Sequence, residues 1–348
     1  MASSKFNLVQ LGHQTALGTA VDPTIEIPMK AAYEDKRQVH TAEWDSGNWT
    51  PTTIVAQVAS ETAFTLEGTA FFEMMPVLLS SGLANVTASG TPPAAIHTYV
   101  VSPSAIGVPT PLTALVGTVG MTGTSGTPFV TGPMIKLKDL YLKTLTLSGN
   151  INDKAVMCKA EFFGTTYDAG TSNAGFPQIV LGTLPTLEMI NALKGVLKID
   201  DTTAVGWAWS AESTFSCALL DWEWTLDTGI EPAWCLTDNV TTWSALKYTS
   251  PSCEFKPVFR TSSVNYALVK AKADALTYQD MQLLIAGSTA DRSLTINMTG
   301  LWDTIPTVHD EQDGEVVMKP TFRCQTPHTV TSAWHWLTVI TKSLHVWA

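Results

Sequence analysis

The stretch Phe64-Thr65-Leu66-Glu67-Gly68-Thr69-Ala70-Phe71-Phe72-Glu73-Met74-Met75-Pro76-Val77-Leu78-Leu79-Ser80-Ser81-Gly82-Leu83 decides the fold class. Phe64, Leu66 and Ala70 share one face with Gly68, while Thr65, Glu67 and Thr69 share the other. That is the period-two pattern of a half-buried strand. Pro76, whose fixed φ suits a first helical position, predicts that the strand runs into a short helix over Val77-Leu78-Leu79, with Gly82 as its left-handed stop. Residues 54–82 therefore read strand, strand, short helix, glycine.

The same alternation recurs along the chain. Val156, Cys158, Ala160 and Phe162 alternate with Met157, Lys159 and Glu161; Trp222, Trp224 and Leu226 alternate with Asp221, Glu223 and Asp227; Leu294, Ile296 and Met298 alternate with Thr295, Asn297 and Thr299. Each is a strand with one apolar and one polar face. Asp313-Gly314 predicts a tight hairpin within Trp302 to Phe322, with Val316, Met318 and Phe322 on its apolar face, because a type I′ turn needs positive φ at both central residues. In the second half, Cys253 to Arg260 and Tyr266 to Lys272 read as strands and Leu276 to Ala286 as a helix closed by Gly287. That order matches residues 54–82 and predicts an internal duplication. Gly117 to Pro133 (GTVGMTGTSGTPFVTGP) reads as a loop, and Asp168 to Gly175 (DAGTSNAG) as the domain boundary.

A length of 348 residues accommodates two domains. The division falls at 1–172, which includes an N-terminal arm and the 117–133 loop, and 173–348. Only 15% of residues are charged while 45% are hydrophobic, and 49 Thr, 23 Gly and 19 Pro favour strands and tight turns over long helices. The fold class is mainly β, as two tandem β-sandwich or barrel modules with a short flanking helix each. A formal charge of −11, without any run of Lys and Arg, argues against tight nucleic-acid binding. The opening Met1-Ala2-Ser3-Ser4-Lys5-Phe6-Asn7 lacks an apolar signal core, and no apolar run reaches membrane-spanning length, so a soluble, unexported protein is expected. Five widely spaced cysteines without Cys-x-x-Cys read as reduced, mostly buried thiols.

Motifs for chemistry are missing. The seven histidines form no metal-ligand spacing, and neither Gly-x-Ser-x-Gly nor a phosphate-binding Gly-x-x-x-x-Gly-Lys loop occurs, so catalytic, metal and cofactor sites are all expected to be none. His309-Asp310-Glu311-Gln312-Asp313-Gly314-Glu315 fails as a calcium loop, because Gly314 in the sixth position puts His309 first and Pro320 twelfth. Glu223 between Trp222 and Trp224 has the composition of a carbohydrate cleft, yet the alternation around it reads as a strand with an acidic outer face. Trp44 and Trp49, in Glu43-Trp44-Asp45-Ser46-Gly47-Asn48-Trp49-Thr50-Pro51, are large aromatics in a polar loop and read as interface anchors.

Two pieces of the sequence carry a resemblance. The entry Gly12-His13-Gln14-Thr15-Ala16-Leu17-Gly18-Thr19-Ala20-Val21 and the junction of the Phe64–Glu73 strand with Met74-Met75-Pro76-Val77-Leu78-Leu79-Ser80-Ser81-Gly82-Leu83 resemble the major tail tube proteins of long-tailed bacteriophages. They span about the first quarter of the chain. The resemblance implies a structural, non-enzymatic virion protein, assembled in the host cytoplasm and residing in the virion tail, whose β modules polymerise as stacked rings around a DNA channel. Its partners would be itself, a tape-measure protein and tail terminator or tip proteins, with DNA passing through without specific binding and no membrane contact. Two modules per chain imply homotrimeric, pseudo-hexameric rings; one module per chain would imply hexamers. Glu67, Asp221, Glu223 and Asp227 are then candidates to face the lumen, since an acidic lining repels phosphate. Phe6, Trp44 and Trp49 are candidates for ring and stacking contacts, with the arm from Phe6 to Val21 and the Trp44–Pro51 loop mobile until stacking. The competing reading is another virion β protein, a capsid decoration or glycan-binding adhesion module, followed by a carbohydrate-active enzyme.

Overall fold

The computed structural model describes residues 5–19, 21, 23, 25–44, 52–83, 85–89, 95–101, 109–121, 128–130, 134–170, 187–200, 212–214, 219–234, 243–303, 310–312, 314–325 and 337–343. The chain is mainly β. Its first half runs β1 (Lys5–His13), β2 (Ile25–Ile27), β3 (Lys30–Trp44), β4 (Thr52–Thr69), α1 (Met75–Ser80), β5 (Asn85–Ser89) and β6 (Ala95–Val101). There follow β7 (Leu112–Met121), β8 (Pro128–Val130), β9 (Met134–Asn150), β10 (Val156–Gly164) and β11 (Thr166–Gly170). The second half holds a 3-10 turn (Ala192–Lys194), β12 (Gly195–Asp200), β13 (Glu212–Thr214), β14 (Leu219–Asp227), β15 (Ile230–Ala233), β16 (Ala245–Tyr248) and β17 (Ser252–Arg260). It continues with α2 (Ser263–Asp274), β18 (Gln279–Ala286), β19 (Ser293–Trp302), β20 (Asp310–Gln312), β21 (Glu315–Met318), β22 (Phe322–Cys324) and β23 (Leu337–Ser343).

Antiparallel ladders join both halves into one network. β9 pairs with β14 from Thr144 opposite Asp227 to Asn150 opposite Asp221, and β6 pairs with β23 from Ala95 opposite Ser343 to Val101 opposite Leu337. Buried residues from Val9 to Val339 form one apolar cluster. β9 serves two sheets: Ile135 to Leu140 pairs with β7, and Tyr141 to Gly149 pairs with β10. The corner is Asp139, which has φ of 55°. Its buried carboxylate accepts hydrogen bonds from the Gly18 N–H at 2.7 Å and the Thr165 hydroxyl at 2.5 Å. Aspartate tolerates the left-handed region better than most residues, and here its side chain is fixed from two directions.

That contact explains part of the entry sequence. Gly18 has φ of 79°, and Gln14 is buried, donating from Nε2 to the Thr113 hydroxyl at 2.8 Å. Of the arm from Phe6 to Val21, Phe6 to His13 belong to strand β1, paired with β7 from Lys5 opposite Gly120 to His13 opposite Leu112 and with β2 on its other edge. Val9 and Leu11 are fully buried, so apolar burial holds it in place. Within the loop expected at Gly117 to Pro133, Gly117 to Met121 belong to β7 and Pro128–Val130 form β8. Asp168 to Gly170 of the expected boundary belong to β11; residues 171–175 lie outside the described residues.

The half-buried strands fall where alternation placed them, in β4, β10, β14, β17 and β19. Two assignments are exchanged. Tyr266 to Lys272 is helical, within α2, whose Ala and Lys content favours a helix and whose Val269 and Ala273 turn one face inward. Gln279–Ala286 is a strand, with Met281, Leu283 and Ile285 fully buried at period two. Gly287 closes the β18–β19 turn, its N–H donating to the Arg292 carbonyl at 2.8 Å. The order expected to repeat is therefore absent from the second half. A different order does recur: strand, helix, hairpin, as β4–α1–β5–β6 and as β17–α2–β18–β19. α1 packs on β6 and α2 on β19, and β23 lies between those two strands.

The Asp313-Gly314 expectation holds in outline. β20 and β21 pair with Gln312 opposite Glu315, and Gly314 has φ of 80°. Val316, expected on the apolar face, is 54% exposed, and Val317 is buried in its place.

Candidate functional site: a polar face shared by both halves

Strands β3, β4, β10, β9, β14 and β17 lie side by side in that order and continue into β22. One face is core: Leu66, Ala160, Leu145, Leu226 and Cys253 are all buried. The opposite face is polar, and the registers line its residues in rows across the strands. Lys30, Glu67, Lys159, Thr146, Thr225, Glu254 and Arg323 form one row of direct neighbours from seven strands. At about 4.8 Å per strand it is roughly 29 Å long. A second row is Thr65, Glu161, Thr144, Asp227 and Ser252, and a third is Thr69, Met157, Ser148, Glu223 and Lys256.

All four residues assigned to an acidic face therefore share one surface. Glu67 and Glu223 are exposed, whereas Asp221 and Asp227 are half-buried. The sequence did not show that cations are interleaved with them. Lys159 lies 2.6 Å from Glu161, and Lys256 lies 2.6 Å from Glu254 and 3.8 Å from Glu223. Hydrogen bonding to Glu161 and to Glu254 raises the pKa of Lys159 and Lys256 respectively, so both stay charged. Asp221 is displaced upward, first by burial and then by the charges of Glu223 and Asp153. Thr146 and Thr225 meet at 3.4 Å in the centre. The face carries both signs and small hydroxyls, and among its described side chains cations alternate with carboxylates rather than cluster.

The interface candidates are placed less fully. Phe6 is in β1 opposite Val119, and Trp44 is the last residue of β3, opposite Thr52. Trp49 lies outside the described residues. β3 and β4 stay paired beyond Thr62, where the β10 ladder ends, so Arg37 to Trp44 and Thr52 to Ser60 form a two-stranded arm of about 25 Å with Trp44 near its tip.

Sequence reasoning missed a buried ionic junction between the halves. Arg292 Nε lies 2.6 Å from Glu73 Oε1, and its guanidinium is 3.0 Å from Glu188 Oε2. The Glu188 N–H donates to Glu73 Oε2 at 3.0 Å, and the Ser288 hydroxyl donates to Glu188 Oε2 at 2.7 Å. The one local signal was an acid inside the apolar run Phe71-Phe72-Glu73-Met74-Met75. Among the described residues, no group of three or more His, Cys, Asp or Glu is arranged to hold a metal ion. No family model matches the chain, and the search of curated proteins returns no match.

Proposed function

We propose that this chain is a structural subunit of a long-tailed bacteriophage tail tube, in which three chains close a pseudo-hexameric ring and rings stack around a channel for DNA. The observation that carries this reading is the polar face that runs without interruption across both halves, with Glu67, Asp221, Glu223 and Asp227 on it. Six long strands per chain give roughly 18 in a three-chain ring, the strand number at which closed barrels enclose an aqueous channel. A surface of Thr, Ser and alternating charges with a small acidic excess passes a polyanion without holding it, whereas a Lys-rich lining would bind many phosphates.

Three further features support it. The strand–helix–hairpin order recurs once in each half, as expected of two tandem modules. Among the described residues β3 pairs only with β4, which leaves an edge for the next chain to extend. The β3–β4 ladder ends with Trp44 opposite Thr52, and an aromatic residue at the end of such an arm suits a contact with a neighbouring ring. Tape-measure and terminator proteins would meet the same channel and ring surfaces.

Negative-stain microscopy of the concentrated full chain tests the reading. Tubes built of three-chain rings are expected. Monomers or small closed oligomers at every concentration would overturn it in favour of a capsid decoration or adhesion module, and rings of six separate chains would replace the trimer by a hexamer.

A further inference from the structure

Cys253 and Cys324 lie 71 residues apart in sequence and directly opposite each other in the β17–β22 ladder. Opposed residues of an antiparallel pair have Cα atoms about 4.5 to 5.5 Å apart, inside the range of about 4.4 to 6.8 Å that a disulfide spans. Both side chains point into the core, and the Cys324 thiol donates to Cys253 Sγ at 3.1 Å. Closing from there to a bond of about 2.05 Å needs side-chain rotation and no displacement of either strand. Cys158 is the internal contrast. It is equally buried, but its opposite neighbours are Gly68 and Leu147, so no thiol is within its reach in the ladder.

We infer that Cys253 and Cys324 are a modification site, a dithiol that closes into a cross-strand disulfide by exchange with a small-molecule disulfide. One cysteine thiolate attacks a sulfur of the reagent disulfide, forming a mixed disulfide and expelling one reagent thiolate, which takes up the proton that the cysteine lost. The second cysteine thiolate then attacks the protein-side sulfur and expels the other reagent thiol. The net change is two protein thiols oxidised to one disulfide and one reagent disulfide reduced to two thiols. Burial raises the Cys324 thiol well above its ordinary range, and the adjoining Cys253 thiol adds to this, so exchange is slow in the closed fold. It proceeds when the three-residue strand β22 opens, or during folding before the core closes. Once formed, the bond pins β22 to β17 at the point where the sheet passes on to β19.

The test uses the full chain with oxidised glutathione, in one arm added to folded protein and in the other present during refolding from denaturant. After alkylation under denaturing conditions, non-reducing digestion and mass spectrometry should find a peptide pair linked through Cys253 and Cys324. It should lack two hydrogens relative to the reduced pair and disappear on treatment with dithiothreitol. Cys158 should be alkylated in both arms, and the oxidised protein should melt several degrees higher than the reduced protein. In Cys324→Ala, Cys253 should accumulate a glutathione adduct, because the resolving thiol is gone. Alkylation of both Cys253 and Cys324 in both arms, or a link from either to a different cysteine, would overturn the inference.

Discussion

Arg292 Nε and Glu73 Oε1 are 2.6 Å apart, although the residues are separated by 219 positions, and the Glu73 side chain is completely buried. Glu73 lies between β4 and α1 of the first half, and Arg292 in the β18–β19 turn of the second. Arg292→Ala takes the cation away from the fully buried Glu73 carboxylate, and a loss of about 3–5 kcal/mol is expected. Glu73→Ala should cost less, because Arg292 keeps its contact with Glu188. The double replacement Glu73→Met with Arg292→Leu removes both charges and should be much milder than the sum of the single losses. Urea unfolding midpoints of the four proteins check this; additive single losses would show that the pair is not coupled.

Glu188 gives the junction a pH dependence. Burial pushes its pKa up, but hydrogen bonds from the Ser288 hydroxyl and N–H, with the charges of Arg292 and Lys194, outweigh this and hold it below the ordinary 4.5. A carboxylate with a depressed folded pKa stabilises the fold at pH values above its unfolded pKa, and the contribution is lost as pH falls through the folded value. Glu188→Gln should therefore be less stable than the native chain at neutral pH, and the difference should shrink as pH falls below 4.5. Melting temperatures across that range decide it, and a constant difference would exclude Glu188 as the titrating group.

Gly82 illustrates how a correct residue can have a different cause. The helix ends with Ser81 at φ of −82°, and Gly82 is not among the residues of positive φ, so no left-handed stop is present. The glycine is required by packing: a Cβ there would lie 2.7 Å from Thr228 Cγ2 and 2.9 Å from Leu142 Cβ. Thr228 is itself fixed, its hydroxyl donating to the Leu142 carbonyl at 2.7 Å. Gly82→Ala should destabilise by about 1–3 kcal/mol through overpacking, read as a shift in the denaturation midpoint without a change in slope. An unchanged or raised midpoint would place the constraint elsewhere.

The same contrast marks the limits of local reading. β4, β10 and β14 bury one face and wet the other, so their exposure pattern is written in the sequence at period two. β18 lies between β12 and β19, with Leu283 and Ile285 in the core and Leu284 half-buried on the other side, and a continuous apolar run does not separate strand from helix. The carboxylates of the polar face were legible one strand at a time. Their union on one surface, and the lysines between them, depend on the β4–β10–β9–β14 order, which no local period encodes. The Glu73–Arg292 and Cys253–Cys324 contacts are long-range for the same reason.

Charge reversal on the polar face distinguishes a channel lining from an outer surface. Glu67 and Glu223 are exposed, so replacing each by lysine should change stability by only about 0.5 kcal/mol. Asp227 is half-buried and accepts a hydrogen bond from the Gly229 N–H at 2.9 Å, so Asp227→Lys should cost about 1 kcal/mol. The proposed tube assembly should survive all three. If the face lines the channel, the triple variant presents nine new cations to DNA in each three-chain ring. Every phosphate they engage adds about 0.9 to the slope of log affinity against log salt. Native tubes should then release DNA at all salt concentrations, whereas triple-variant tubes should retain it at low salt and release it as salt rises. DNA shorter than the tube, added during assembly and followed by fluorescence, provides the measurement. Equal release from both tubes would remove Glu67, Glu223 and Asp227 from the channel and turn this face outward.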